Sequence, residues 1–86
     1  MKTFKNLYQV PYNFNGVCRI ITSNSINYFE NGARHKEDGP AVEYANGECS
    51  WYFKDGFYGI NNQFTVDSWM IFIEELQREE RLKIFI

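Results

Sequence analysis

The residues best suited to chemistry lie in one string, His35-Lys36-Glu37-Asp38-Gly39-Pro40-Ala41, which holds the single histidine of the 86-residue chain. A histidine close to carboxylates is the raw material of a general base, but no serine or cysteine nucleophile stands beside it, and Cys18 and Cys49 fall in strand-like runs. The string reads instead as turn chemistry. Asp38 can accept local backbone N–H groups and Gly39 can take a positive φ. Pro40 then fixes φ as the chain enters the next strand, and His35 is expected to pin the turn by bonding to Asp38 or to a carbonyl. The acidic pairs Glu37-Asp38 and Glu79-Glu80 point to different faces of a strand or helix, which makes them solvated surface rather than paired catalytic carboxylates. Two cysteines 31 residues apart, with neither a CxxC nor a pair of histidines, leave zinc without its ligands; they read as buried small apolar residues in preference to a disulfide. Phosphate-loop, His-Glu-x-x-His, calcium-loop and nucleophile-elbow patterns are all missing. The expectation is a non-enzyme with no metal and no cofactor.

The elements that position these residues are marked by their turns. Asn-Gly at 31–32, Asp-Gly at 38–39, Asn-Gly at 46–47 and Asp-Gly at 55–56 recur every seven to nine residues between aromatic and β-branched runs. Such dipeptides tolerate the positive φ of tight hairpin turns, so residues 17–59 are predicted to form an antiparallel meander. The expected strands are 17–22, 25–30, a short piece at 33–35, 40–45 and 48–54, with Cys49, Trp51 and Phe53 on one face and Ser50, Tyr52 and Lys54 on the other. Asn27-Tyr28-Phe29-Glu30-Asn31-Gly32 also aligns with Trp51-Tyr52-Phe53-Lys54-Asp55-Gly56 at an offset of 24, which reads as one strand and its exit turn used twice. About one and a half units do not bury a continuous face, so another element must cover the sheet.

Residues 65–81 supply that cover. Trp69, Phe72, Ile73 and Leu76 follow the i, i+3, i+4, i+7 spacing of one helical stripe, opposite Glu74, Glu75, Arg78 and Arg81. Thr65 or Asp67 is the N-cap, and Glu74–Arg78 and Glu79–Lys83 are i,i+4 pairs of about 0.2–0.5 kcal/mol each. Ile71 and Leu82 project away from the stripe, either toward a second surface or as an apolar patch for a partner. The apolar tail, residues 82–86, either packs back on the domain or joins a dimer or partner surface, for instance at an open sheet edge. The fold class is therefore α+β, a single small domain of 1–86 with about four to six antiparallel strands under one C-terminal helix.

Composition limits the function. Nine basic against eleven acidic residues, net −2, offers no general field for a phosphate backbone, which disfavours direct nucleic-acid binding. No run of 18 apolar residues exists and the N-terminal residues lack an apolar signal stretch, so the chain is expected to be cytoplasmic with no membrane association. Aromatic residues make up 19%, more than a small core needs. Trp51, Phe53, Trp69 and Phe72 read as the core between sheet and helix, which leaves Tyr28, Tyr52, Phe57 and Tyr58 as candidate partner-binding anchors.

The string His-x-x-Asp-Gly-Pro-Ala, preceded by Asn-Gly and followed by an aromatic strand, a further Asn-Gly and Trp-Tyr, resembles the repeat of small bacteriophage and prophage proteins that look like variants of the membrane occupation and recognition nexus repeat. The resemblance covers about residues 24–59, and it stops at the second unit, where Gly59 stands in place of His35 and no second Asp-Gly-Pro-Ala follows. It implies β-hairpin units with a helix near one end, and a phage accessory protein without assigned activity. The function expected from it is a protein-binding module that occludes a bacterial host protein, plausibly a defence component such as a CRISPR effector. The alternatives are a purely structural repeat module or an oligomeric sponge for a nucleotide signal, its phosphates held by Arg19, Arg34 and Lys36.

Overall fold

The computed structural model describes the backbone of residues 1–84 and side chains through Leu82. The expected α+β architecture is the one observed. Strands β1 (Lys2–Phe4), β2 (Val17–Ile21), β3 (Ser25–Glu30), β4 (Ala33–Arg34), β5 (Val42–Tyr44), β6 (Cys49–Phe53) and β7 (Gly56–Ile60) form one sheet, followed by helix α1 (Val66–Ile84). The order is β1-β2-β3-β5-β6-β7, with β4 also paired to β3; every pairing is antiparallel except β1 with β2. That parallel strand was not expected from the sequence, since its crossover carries no turn signal and β1 is three residues long.

Two of the expected turns match their chemistry. Asn31 and Gly32 both have positive φ, 51° and 84°, between the paired Glu30 and Ala33. Gly47, at φ 91°, closes the loop between β5 and β6, where the Tyr44 N–H donates to the Glu48 carbonyl at 2.8 Å. The other two depart from expectation. In the β6–β7 hairpin the positive φ angles fall on Lys54 (48°) and Asp55 (69°) rather than Gly56, so the turn comes one residue early. A one-residue shift reverses every side chain. The two aligned halves of the sequence echo also present opposite faces, because Asn27 and Ser50 both pair with Val42: Tyr28 and Trp51 share the helix side, while Phe29 and Tyr52 share the far side. A bulge between Trp51 and Tyr52, with Tyr58 as the extra residue on β7, absorbs the shift.

Gly39 does not have a positive φ, and the Asp38-Gly39-Pro40 string is not a hairpin turn. It lies instead in an excursion from a single interrupted strand. Both β4 and β5 pair with β3, and the backbone of Tyr28 bridges the gap, accepting from His35 N–H at 3.1 Å and donating to the Ala41 carbonyl at 2.8 Å. Residues 36–40 leave the sheet between those two bonds and pass under the helix.

Helix α1 begins as Thr65 predicts for an N-cap: its Oγ1 accepts from Ser68 N–H at 3.1 Å, while Ser68 Oγ accepts from Thr65 N–H at 2.9 Å. Phe64, just before the cap, packs on Trp69 at 5.0 Å between ring centres, a hydrophobic staple that sets the angle of entry. The stripe of α1 then meets the sheet, where Trp51, Phe53, Trp69 and Ile73 form the buried cluster, with Cys49, Phe64, Phe72 and Leu76 packed around it. Ile71 and Leu82 stay exposed, so the helix is not wedged against a second surface there. The Glu74–Arg78 pair forms at 3.6 Å between exposed side chains. The Glu79–Lys83 pair and the tail beyond Leu82 lie outside the described side chains.

A second core sits on the far face. Cys18, Ile20 and Val42 are at most 5% exposed, and Leu7, Val10, Pro11 and Phe14 from the crossover lie against Cys18, Ile20 and Phe29 around a cavity of about 250 Å³. The helix covers β6, β7 and the 36–40 excursion; the crossover covers β2 and β3. What neither covers is the far face at β4, β6 and β7.

Candidate partner-binding site

At the border of that surface the Asn31-Gly32 turn sets Arg34 directly opposite Phe29. The guanidinium carbon lies 5.5 Å from the Phe29 ring centre and 5.6 Å from that of Tyr52, and Tyr52 packs on Phe57 at 5.4 Å. Four residues from β3, β4, β6 and β7 thus make a continuous strip of ring, guanidinium, ring and ring. The backbone of Arg34 is held on both sides by Asp55, whose Oδ1 accepts its N–H at 3.2 Å and whose N–H donates to its carbonyl at 2.8 Å. Among the described residues the Arg34 guanidinium enters no ion pair, and its buried Nε has no hydrogen-bond partner. An unsatisfied buried N–H costs about 1–3 kcal/mol, and two cation–π contacts offset it only in part. Phe57 is 56% exposed at the end of the strip.

Of the four anchors expected from the sequence, Tyr52 and Phe57 meet here and the other two do not. Tyr58 is turned to the helix face by the bulge, its ring 5.2 Å from Phe72 and 6.1 Å from Trp69, so it belongs to the margin of the core. Tyr28 is also on the helix face, beneath Lys36, whose Nζ is 3.8 Å from the ring centre. Arg34 and Phe29 were not among the anchors; the signal for them was the Asn-Gly turn, which makes the residues flanking it cross-strand neighbours.

The turn string plays a different role from the one its residues suggest. His35, 7% exposed, does not bond to Asp38. Its Nδ1 accepts from Lys54 N–H at 3.0 Å, and Nε2 lies 3.2 Å from Glu30 Oε2 and 3.4 Å from Glu37 Oε1. Because Nδ1 accepts from Lys54, Nε2 is the ring nitrogen turned toward the two carboxylates. The histidine thereby ties the start of the excursion to the β6–β7 turn. The Lys36 carbonyl accepts from the Trp69 indole at 2.8 Å, Gly39 is buried, and Ala41 is completely buried where the chain rejoins the sheet behind Pro40. Asp38 is exposed.

His35 also borders the larger concavity, about 750 Å³ between the flank of α1 and strands β2 and β3, together with Arg19, Tyr28, Glu30, Lys36 and Met70. Glu30 and Glu37 converge on the imidazole, yet its free lone pair is already used on Lys54, so the three do not offer a cation a ligand set. Among the described residues no group of three or more His, Cys, Asp or Glu is placed to hold a metal ion. Arg19 and Lys36 line this concavity while Arg34 is on the opposite face, so the three bases do not converge on one phosphate. The cysteines are also divided: Cys18 faces the crossover, where burial pushes its thiol pKa up, and Cys49 is on the helix side with Sγ 3.6 Å from the Asn61 carbonyl. No helix among the described residues is long and apolar enough to cross a membrane. Strand β7 is an edge of the sheet, carrying the exposed Phe57, Tyr58 and Ile60.

Comparison with protein-family models, with curated proteins and with solved structures gave no match.

Proposed function

We propose that the chain is a non-enzymatic, phage-type protein-binding module that occludes a bacterial host protein, a component of a defence system such as a CRISPR effector. The observation that carries the binding part of this reading is the Phe29–Arg34–Tyr52–Phe57 strip. Aromatic residues and arginine are the types that dominate interface energetics, and Arg34, Tyr52 and Phe57 lie on the part of the sheet that neither the helix nor the crossover covers, with Phe29 at the crossover's edge. The phage and anti-defence part rests on the resemblance of the His35–Ala41 string alone.

The sponge reading gains less support. Its phosphate would need Arg19, Arg34 and Lys36 together, whereas they are split between the two faces and Lys36 is already engaged with Tyr28. A pull-down from bacterial lysate separates the two. The binding reading expects one protein recovered in stoichiometric amount and released by the Tyr52→Ala, Phe57→Ala double variant. Failure to recover any protein, with a rise in melting temperature on adding cyclic or adenine nucleotides, favours the sponge instead.

A further inference from the structure

We infer that the strip is built to receive a partner's carboxylate beside a large apolar side chain, the acid on the Arg34 fork and the apolar group in the cavity behind Phe29. The inference rests on the protein-binding reading and specifies the chemistry of the partner. Three observations support it. First, the guanidinium is held in place before any partner arrives, since two rings clamp it and Asp55 fixes its backbone on both sides. Second, the Nε is walled in, while the two terminal N–H groups make no hydrogen bond or ion pair among the described residues. A carboxylate accepting from those two terminal groups binds in the bidentate geometry for which a planar guanidinium is suited. Third, Phe29 is at once a wall of the arginine clamp and a wall of the apolar cavity lined by Leu7, Val10, Phe14, Cys18 and Ile20.

The size of the cavity decides what fills it. At about 250 Å³ it falls below the roughly 300–1,000 Å³ range of whole small-molecule sites and suits a single side chain. Charge narrows the anion. A nucleic acid would need several bases in a row, but Arg34 is one isolated base in a chain of net −2, which matches one carboxylate better than a polyanion. The occupant is therefore an acidic-apolar segment of a protein, with Phe57 and Tyr52 packing on its flank.

The test is selection from a random-peptide library displayed on virions, run in parallel on the full chain and on its Arg34→Gln and Arg34→Lys variants, each first shown to keep the cooperative melt. Expected is a set of wild-type binders enriched in Asp or Glu next to Leu, Ile or Phe. Affinity should fall at least tenfold with either variant, because lysine keeps the charge but not the fork. Binders with no acid enrichment that are lost in Tyr52→Ala would overturn the carboxylate inference and leave the docking surface standing. Binders indifferent to Arg34, Tyr52 and Phe57 alike, or no binders at all, would overturn both. A shift of the Arg34 guanidinium N–H resonances by inorganic phosphate but not by acetate or the selected peptides would overturn it in favour of a phosphate site.

Discussion

The indole N–H of Trp69 donates to the backbone carbonyl of Lys36 at 2.8 Å, joining the first turn of α1 to the excursion that interrupts the middle strand. Trp69 is fully buried, and this bond pairs its N–H at the edge of the packed cluster. It explains why a segment rich in charged and turn-forming residues is held under a helix: the loop carries the acceptor that a buried tryptophan requires.

Trp69→Phe keeps an aromatic ring but leaves the Lys36 carbonyl without its donor. The expected loss is about 1–3 kcal/mol from the unpaired carbonyl, with a further contribution from the smaller ring. Urea denaturation should show a lower midpoint with an unchanged slope.

His35→Ala and Asp38→Ala separate the observed role of the turn string from the one its residues suggest. Removing His35 leaves the Lys54 N–H without its acceptor and opens space beside Phe53, whose ring centre is 4.9 Å away, so a loss of about 2–4 kcal/mol is expected. Asp38 is exposed and its replacement should change stability by no more than about 0.5 kcal/mol. Similar losses in both variants would mean that the histidine and aspartate act as a pair after all.

Glycines give a second contrast. Gly32 has a φ of 84°, where an alanine is strained whatever the space, and Gly32→Ala should cost about 1 kcal/mol. At Gly39 the φ is not positive, and an added Cβ would meet only the flexible Lys36 side chain at 3.6 Å. Gly39→Ala should shift the thermal midpoint little, although Asp-Gly-Pro looks like the more demanding turn.

Most of the architecture is legible because its signals are local. Asn31-Gly32 and Asn46-Gly47 mark hairpins, and the Trp69, Phe72, Ile73 and Leu76 spacing gives the helix and the face it buries. What escapes are features set by non-local pairing. The parallel pairing of β1 with β2 has no turn to announce it, and the early β6–β7 turn at Lys54-Asp55 depends on register across the sheet. The registers of β3 and β6 on Val42 put Tyr28 and Tyr52, aligned in the sequence echo, on opposite faces and so divide the expected anchors. Arg34 read as one base among several, since its clamp needs Tyr52 from a strand that is not its sequence neighbour.

The thiols should differ in reactivity and in their effect on pH dependence. Burial disfavours the Cys18 thiolate, so at mildly alkaline pH a thiol reagent should modify Cys49 first and reach Cys18 only on unfolding. The sign of the linkage follows. With the folded pKa raised above its ordinary value, the folded state holds its proton to higher pH than the unfolded state. Its contribution to stability is present below the unfolded pKa and declines as pH rises through the folded pKa. Cys18→Ala should flatten the alkaline decline of the melting temperature, and an unchanged slope would assign the decline to other groups.

On the proposed reading the uncovered far face, and not the helix, meets a partner. This is tested most directly by measuring the affinity of the recovered partner for Tyr52→Ala and Phe57→Ala alongside Ile71→Ala, which alters the exposed patch on α1. A loss of about thirtyfold or more, roughly 2 kcal/mol, is expected for at least one of the two ring truncations, with no change for Ile71→Ala. Full affinity in both ring variants, with a loss on truncating Ile71, would contradict it.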